Sequence, residues 1–169
     1  LRFLNLSRQS GYLKALGTAE LRSRWAETVF RVIRQTGFGM EDLIRQRAEE
    51  HPSKVLFMEM TPSRPVEWTY GQIHHHLKEI AALFWSEQAT SPRVALFSDN
   101  TLEGACVDLA CLSYDLFITP LSTHFSEEIL LHIFDSLEIT IAAADTRERV
   151  NLLQKLSLKT RIPFRIYSL

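Results

Sequence analysis

Glycine, proline and cysteine are scarce in this sequence, and each shortage excludes a class of protein. Six glycines and six prolines among 169 residues are too few for a collagen-like or low-complexity chain. Only two cysteines are present, and Cys106 and Cys111 point to different sides of one predicted helix, which indicates reduced, buried thiols. No apolar run approaches the roughly 18 residues of a membrane-spanning helix, and the first residues lack the pattern of a secretory signal. We therefore expect a globular, cytoplasmic protein.

Length and composition favour one domain with a hydrophobic core. Of the 169 residues, 46% are hydrophobic and 23% are charged, which is typical of a soluble globular protein. The chain begins with leucine rather than methionine, which predicts a trimmed or excised chain whose ends are not the natural ones.

Charge is distributed unevenly along the chain. Residues 1–37 carry seven Lys or Arg and two Glu, a net charge of +5 (7 − 2), so residues 38–169 carry −6 (−1 − 5). The simpler interpretation is a solvated helix that packs on its own body. The alternative is an arm that contacts a phospholipid surface, an acidic partner or a second copy of the chain. We divide the chain into a basic N-terminal helical arm, residues 1–37, and an α/β part, residues 38–169.

Apolar periodicity predicts two helices, a hairpin, and then alternating helices and strands. The first helix runs from about Thr18, its N-cap, to Gln35, with Gly37 as its stop, and the second runs from Met40 to Glu50. The hairpin consists of residues 54–60 and 66–69. The later elements are helices 71–88, 101–113, 126–137 and 146–157 and strands 93–98, 117–121, 139–144 and 164–168. This order predicts an α/β fold, a mostly parallel sheet flanked by helices with right-handed crossovers.

Three consecutive histidines, His74, His75 and His76, lie within the helix 71–88. Neighbouring side chains on a helix point in directions about 100° apart, so these three cannot converge on one metal ion. His75 with Glu79 is the only nearby pair with the i, i+4 spacing of metal ligands. We interpret the tract as a solvated helix face and predict no metal site there.

The loops after the strands are where ligands of parallel sheets collect, yet these loops contain no catalytic motif. GxGxxG, GxxxxGK[ST] and GxSxG are all absent from the sequence. Asp99 or Asn100, Ser126 and Asp145 are each placed to cap the helix that follows. We therefore predict no catalytic, cofactor-binding or metal-binding residue in this chain.

Other groupings of polar residues have structural explanations. His124 with Glu127 and Glu128 could form an acid–base or ligand cluster, but carboxylates in the first turn of a helix are explained by the helix dipole. His132 is interpreted as a packing or surface residue. Aromatic residues are not interleaved with the basic residues of the arm, which argues against nucleic-acid binding.

Several short motifs occur in an order that is characteristic of one enzyme family. They are Thr69–Tyr70, Val94–Leu96, Asn100, Glu103, Leu109–Ala110, Pro120–Leu121 and Asp135–Ser136. This order resembles the N-terminal part of the AMP-forming acyl-CoA synthetases, the adenylate-forming superfamily of AMP-binding enzymes. The similarity covers about residues 40–145, and the stretches GACVDLA and PLSTHFSEEIL are most similar to the long-chain fatty acid branch. One departure is Ser113–Tyr114–Asp115, where the family usually has a glycine.

The resemblance implies that this chain is a fragment of the family's N-terminal domain. The family's phosphate loop, ATP-holding motifs and catalytic lysine come after the region represented here, so no site residue is carried over. The parent would use ATP, Mg²⁺ and coenzyme A to convert a carboxylic acid, such as a fatty acid, to its adenylate and then its thioester. The fragment alone is expected to be inactive and to bind no cofactor, and its partner would be the remainder of the synthetase.

Two other classes of function stay open at this point. A stand-alone, flavodoxin-like α/β module would bind a flavin or nucleotide at the strand-end loops, although Gly-rich loops are absent. An interaction domain would instead use residues 1–37 for peripheral membrane contact or for a homodimer.

Overall fold

The first helix forms a unit apart from the rest of the chain. The computed structural model describes residues 16–60, 64–86 and 91–169, and the chain divides into the units Leu1–Gly39 and Met40–Leu169. Helix α1 (Ala19–Thr36) begins after Thr18, whose side chain accepts a hydrogen bond from the Leu21 N–H, and ends at Gly37, with φ of 63°. Both predicted ends are confirmed. The assignment of an arm and an α/β part of a larger enzyme stays a prediction.

The second unit begins with a helix and an antiparallel hairpin. Helix α2 (Met40–Glu50) is followed by β1 (Val55–Met60) and β2 (Pro65–Thr69), which pair from Val55 with Thr69 to Met60 with Pro65. The helix and the hairpin are confirmed, while residues 61–63 of the predicted turn lie outside the described residues.

Helices and strands then alternate to the end of the chain, as predicted. They are α3 (Tyr70–Ser86), β3 (Arg93–Phe97), α4 (Leu102–Ser113), β4 (Phe117–Pro120), α5 (Glu127–Ser136), β5 (Ile141–Ala144), α6 (Arg147–Ser157) and β6 (Arg165–Ser168). Most boundaries lie within one residue of the predicted ones, and β5 starts two residues late. Positions 87 and 88 of the predicted third helix lie outside the described residues.

The four later strands form one parallel sheet in the order β4-β3-β5-β6. Val94 of β3 is paired with Ile118 on one side and Ile141 on the other, and Ile141 is paired with Arg165 of β6. The predicted mostly parallel sheet is therefore confirmed, and the right-handed crossovers stay a prediction.

Helices cover both faces of this sheet. On one face, the strand residues that pack with α5 and α6 are Ala95, Phe97, Ala142 and Ala144. On the other face, those that pack with α3 and α4 are Val94, Leu96, Ile141 and Ala143. A third cluster joins α2 and the hairpin to α3 and α4 around the fully buried Ile73 and Leu77. The alternation follows from the two-residue repeat of a strand. Because the four strands are parallel, their carboxyl ends lie at one edge of the sheet.

The cysteines belong to this core. Cys106 and Cys111 are both free and buried, and they lie in different clusters. Burial raises the pKa of Cys106 to about 11 and the pKa of Cys111 to about 12, with nearby Glu103 and Asp108 adding to the effect. The prediction of reduced, buried thiols is confirmed.

Two helices are followed by a residue that is not glycine but has a left-handed backbone conformation. Asp115 has φ of 57° and Glu138 has φ of 52°. The next N–H donates back into the helix in each case, from Leu116 to the Cys111 carbonyl at 3.0 Å and from Ile139 to the Phe134 carbonyl at 3.1 Å. Glycine is the usual residue in this helix-ending motif. Asp115 belongs to the segment Ser113–Tyr114–Asp115, where the family usually has a glycine.

Candidate functional site

An open groove lies at the carboxyl ends of β3 and β4. Its volume is about 730 Å³. Residues 57–60 of β1 line one side, and Leu96, Pro120, the loop 98–101 and the first turns of α4 line the other. The groove therefore lies at the edge of the parallel sheet where ligands of such sheets collect.

Short side-chain hydrogen bonds shape the loop between β3 and α4. Thr101 is the N-cap of α4, and its hydroxyl accepts a hydrogen bond from the Gly104 N–H at 3.1 Å. The Ser98 hydroxyl donates to the Asp99 carbonyl at 2.8 Å and lies 3.1 Å from the Thr101 hydroxyl. A Cβ atom on Gly104 would lie 2.9 Å from the Ser98 hydroxyl oxygen, so glycine allows this close approach.

Arg149 joins the loops that follow β3 and β5. From the first turn of α6, its guanidinium donates to Asp99 at 2.7 Å and to Asp145 at 2.5 Å. The Asp99 N–H donates to the second oxygen of Asp145 at 2.9 Å, and the Thr123 hydroxyl, in the loop after β4, donates to Asp99 at 3.2 Å. We call Asp99, Thr123, Asp145 and Arg149 the loop clamp, because they connect the carboxyl ends of three parallel strands.

The electrostatics of the loop clamp favour the charged forms of its members. The hydrogen bond from Arg149 holds the pKa of Asp99 below its ordinary value. Burial acts to raise the pKa of Asp145, but hydrogen bonds from Arg149, the Asp99 N–H and Ser98 outweigh it, so this pKa is also lowered. The two carboxylates in turn raise the pKa of Arg149. The clamp is thus a fixed ion-pair network rather than a proton donor poised near neutral pH.

Two of the three predicted helix caps are wrong. Asp99 and Asn100 do not cap α4 and Asp145 does not cap α6, because Thr101 and Thr146 are the N-caps. The aspartates come one or two residues too early and instead bind Arg149. The third prediction is confirmed, since the Ser126 hydroxyl accepts a hydrogen bond from the Ile129 N–H.

The charge of the groove does not suit a nucleoside triphosphate. Glu59, Asp99 and Asp108 line it together with the neutral polar residues 98, 100 and 101 and with apolar side chains. Its lining residues within the described part of the chain include no Lys or Arg. Phosphoryl groups are normally held by cations and by glycine-rich loops. The residues present therefore do not fit ATP.

The histidine tract lies away from this groove, on α3. His75 and His76 both approach Glu79, with N···O distances of 3.3 and 3.7 Å, and all three side chains are substantially exposed. His74 differs from them, because its Nε2 is buried without a hydrogen-bond partner. The structure thus brings together His75 and Glu79, the pair expected from i, i+4 spacing. No group of three or more His, Cys, Asp or Glu among the described residues could hold a metal ion.

The grouping of His124 with Glu127 and Glu128 also has a structural explanation. Glu127 forms an ion pair with Lys159, which lowers the pKa of the Glu127 carboxyl. His124 and His132 are exposed. Glu127 and Glu128 occupy the first turn of α5, as the helix-dipole interpretation expects.

The residues that sequence reasoning missed are Arg149 and Thr123. Asp145 and Arg149 have i, i+4 spacing at the start of a helix, which is a signal for an ion pair. Their approach to Asp99 depends on β3 and β5 being neighbours in the sheet, and strand order is not visible in a single sequence.

Comparison with a family model places most of the chain in one family. The model described as AMP-binding enzyme matches residues 44–165, a range that contains the groove and the loop clamp. A search of the curated proteins finds no match to this chain.

Solved structures share this fold over about three quarters of the chain. A Rhodopseudomonas palustris protein assigned as a long-chain-fatty-acid CoA ligase is 18% identical with a TM-score of 0.66, over 78% of this chain and 33% of that chain. The N-terminal domain of FACL13 from Mycobacterium tuberculosis is 18% identical with a TM-score of 0.63, over 77% and 33% of the two chains. A fatty acyl-adenylate ligase from L. pneumophila, in complex with acyl adenylate and pyrophosphate, is 19% identical with a TM-score of 0.60, over 77% and 23%. The present chain therefore spans a third or less of the length of these structures.

Proposed function

We propose that this chain, which belongs to the AMP-binding enzyme family, is the N-terminal part of an AMP-forming acyl-CoA synthetase of the long-chain fatty acid type. The observation that carries the proposal is the family match over residues 44–165, which falls on the βα alternation around the parallel sheet. The parent activates a carboxylic acid with ATP and Mg²⁺ to an acyl-adenylate and transfers the acyl group to coenzyme A. We also propose a cytoplasmic location for it.

Within the parent, this chain supplies scaffold rather than phosphoryl chemistry. Stabilising the transferring phosphoryl charge needs cations or preorganised donors, and the described lining of the groove contains carboxylates and no Lys or Arg. The chain spans at most 33% of the length of the three solved structures compared. The remainder of the synthetase is accordingly the partner that brings ATP, the carboxylate and coenzyme A together.

The proposal is tested by extending the coding sequence beyond Leu169 and assaying both chains. We expect fatty-acid-dependent exchange of pyrophosphate into ATP for the longer chain and none for residues 1–169. Acyl-adenylate formation by residues 1–169 alone would falsify the scaffold role. A stop codon directly after Leu169, together with saturable flavin or nucleotide binding, would favour a stand-alone binding module instead.

A further inference from the structure

One border of the groove is an open strand edge. Strand β1 belongs to a two-stranded sheet and, within the described parts of the chain, pairs only with β2. The four consecutive residues 57–60 of β1 line the groove, although their side chains alternate between two faces, and no residue of β2 lines it. The groove is therefore bordered by the edge of β1 that faces away from β2. Such an edge presents N–H and C=O groups that can pair with another extended segment.

The side chains beside this edge differ between its two faces. Met58 and Met60 lie on one face of β1 and are 54% and 75% exposed. Phe57 and Glu59 lie on the other face, and Phe57 packs against the core cluster that includes residues of α4. The same helix carries Asp108, which lines the groove. A segment paired with β1 would thus meet apolar side chains on one face and carboxylates on the other.

The carboxylates on this second face call for a cationic partner. Arg149 forms an ion pair with Asp99 at 2.7 Å. The lining of the groove, as far as the structure describes it, supplies no Lys or Arg for Glu59 or Asp108. Opposite charges and apolar side chains on neighbouring strands stabilise a sheet. The segment complementary to the groove is therefore extended, with basic and apolar side chains in alternation.

We propose that a basic and apolar segment from the remainder of the synthetase pairs with β1 in this groove as a third strand. Its source rests on the proposed function, whereas its chemistry rests on the groove alone. The solved structures compared are matched over at most 33% of their length, so the proposed parent has a long further chain that can supply the segment. Native proteins usually cover or blunt an open strand edge, because it otherwise invites aggregation.

The test measures binding of short peptides to residues 1–169, immobilised on a biosensor surface so that the copies stay apart. The probe is a peptide of alternating lysine and valine with blocked ends, since valine favours strands. We expect saturable binding of this peptide and at least tenfold weaker binding of a glutamate–valine peptide of the same length. The lysine–valine peptide with methylated backbone nitrogens should also bind at least tenfold more weakly, because it lacks the N–H groups that pair with a strand.

Two double variants locate the binding site. Glu59→Gln with Asp108→Asn should weaken binding of the lysine–valine peptide about tenfold, since each ion pair at a surface contributes about a threefold preference. Glu128→Gln with Glu148→Gln removes two exposed carboxylates of α5 and α6 that do not line the groove, and should leave binding unchanged. Circular dichroism should show both double variants to be folded.

Three outcomes of these measurements would overturn the proposal. The first is equal binding of the lysine–valine and glutamate–valine peptides, and the second is equal weakening by both double variants. The third is unchanged binding of the methylated peptide, which would exclude strand pairing. The peptide comparisons use the unsubstituted protein, so they decide the question even if a variant does not fold.

The longer chain of the pyrophosphate-exchange assay identifies the source of the segment. Its groove should already be filled, so the lysine–valine peptide should bind it at least tenfold more weakly than it binds residues 1–169. Equal binding by the two chains would show that the remainder of the synthetase does not cover β1. Because peptide binding needs no ATP, its outcome is separate from that of the exchange assay.

Discussion

At the scale of single residues, Arg149 holds the loop clamp together through its contacts with Asp99 and Asp145. Its side chain is 17% exposed, and that of its partner Asp145 is 8% exposed. We expect Arg149→Met to lower the free energy of unfolding by about 2 kcal/mol, because a hydrogen bond to a charged group contributes about that much and Asp145 loses its cationic partner. Urea unfolding followed by circular dichroism measures the change.

The control for this substitution is Arg161→Met. Arg161 also forms an ion pair, with Asp135 at 3.7 Å, but its side chain is 86% exposed. Exposed pairs contribute little to stability, so this variant should unfold like the unsubstituted protein. Equal losses for Arg149→Met and Arg161→Met would show that the loop clamp has no special role.

The same clamp predicts a dependence of stability on pH. The folded-state pKa of Asp99 and that of Asp145 both lie below the ordinary value of an aspartate. A lowered pKa contributes stability that is fully present above the unfolded value and is lost as pH falls through the folded value. The difference in unfolding free energy between the unsubstituted protein and Arg149→Met should therefore be constant near neutral pH and shrink below the pKa of an ordinary aspartate. A difference that stays unchanged in acid would contradict this account.

At the scale of elements, the sequence strains the backbone at the ends of α4 and α5. Asp115 and Glu138 adopt a left-handed conformation that costs L-residues roughly 1 kcal/mol and glycine nothing. We expect Asp115→Gly and Glu138→Gly each to raise the free energy of unfolding, by about 0.5 to 1 kcal/mol. The gain should be larger for Glu138, because aspartate tolerates this region better than glutamate.

Thermal unfolding of the two glycine variants checks this prediction against a third variant. Gln154→Gly lies within α6 at an exposed position, where glycine should cost about 1 kcal/mol. If all three substitutions destabilise the protein, the left-handed conformations carry no strain that glycine relieves.

The helices and strands could be predicted well, because the signals for them lie within short stretches of sequence. Apolar spacing gives the period of each helix and strand, and the ends of α1 are fixed by Thr18 and Gly37, whose cap roles depend only on neighbours in sequence. The predicted N-caps of α4 and α6 are wrong. Aspartate is a common N-cap residue, so the sequence alone could not show that Asp99 and Asp145 have another role. Their actual partner, Arg149, lies 50 residues from Asp99 in sequence and is brought near only by the pairing of β3 with β5.

At the scale of the whole molecule, the family could be inferred from the order of short motifs, but the groove could not. One side of the groove comes from β1 and the other from the loop after β3, and no pattern within either segment reports that they face each other. The site of adenylate chemistry could not be predicted either, because in the proposed parent it lies in residues beyond this chain.

A chain that is part of a larger enzyme should expose apolar surface that the remainder covers. Met58 and Met60, which line the groove, are 54% and 75% exposed. We expect purified residues 1–169 to associate through this surface, since exposed apolar patches mark interaction sites. Met58→Gln with Met60→Gln should raise the dissociation constant about tenfold or more, because burying a methionine side chain contributes on the order of 1.5 kcal/mol.

Sedimentation equilibrium over a range of protein concentrations measures this association, and Leu158→Gln is its control. Leu158 is 87% exposed but does not line the groove, so its replacement should leave the dissociation constant unchanged. A chain that is monomeric at every concentration, or one whose association weakens equally in the Leu158 variant, would show that the groove is not a covered surface. Since the expected contact is apolar, the association should persist at high salt, which screens contacts between exposed charges.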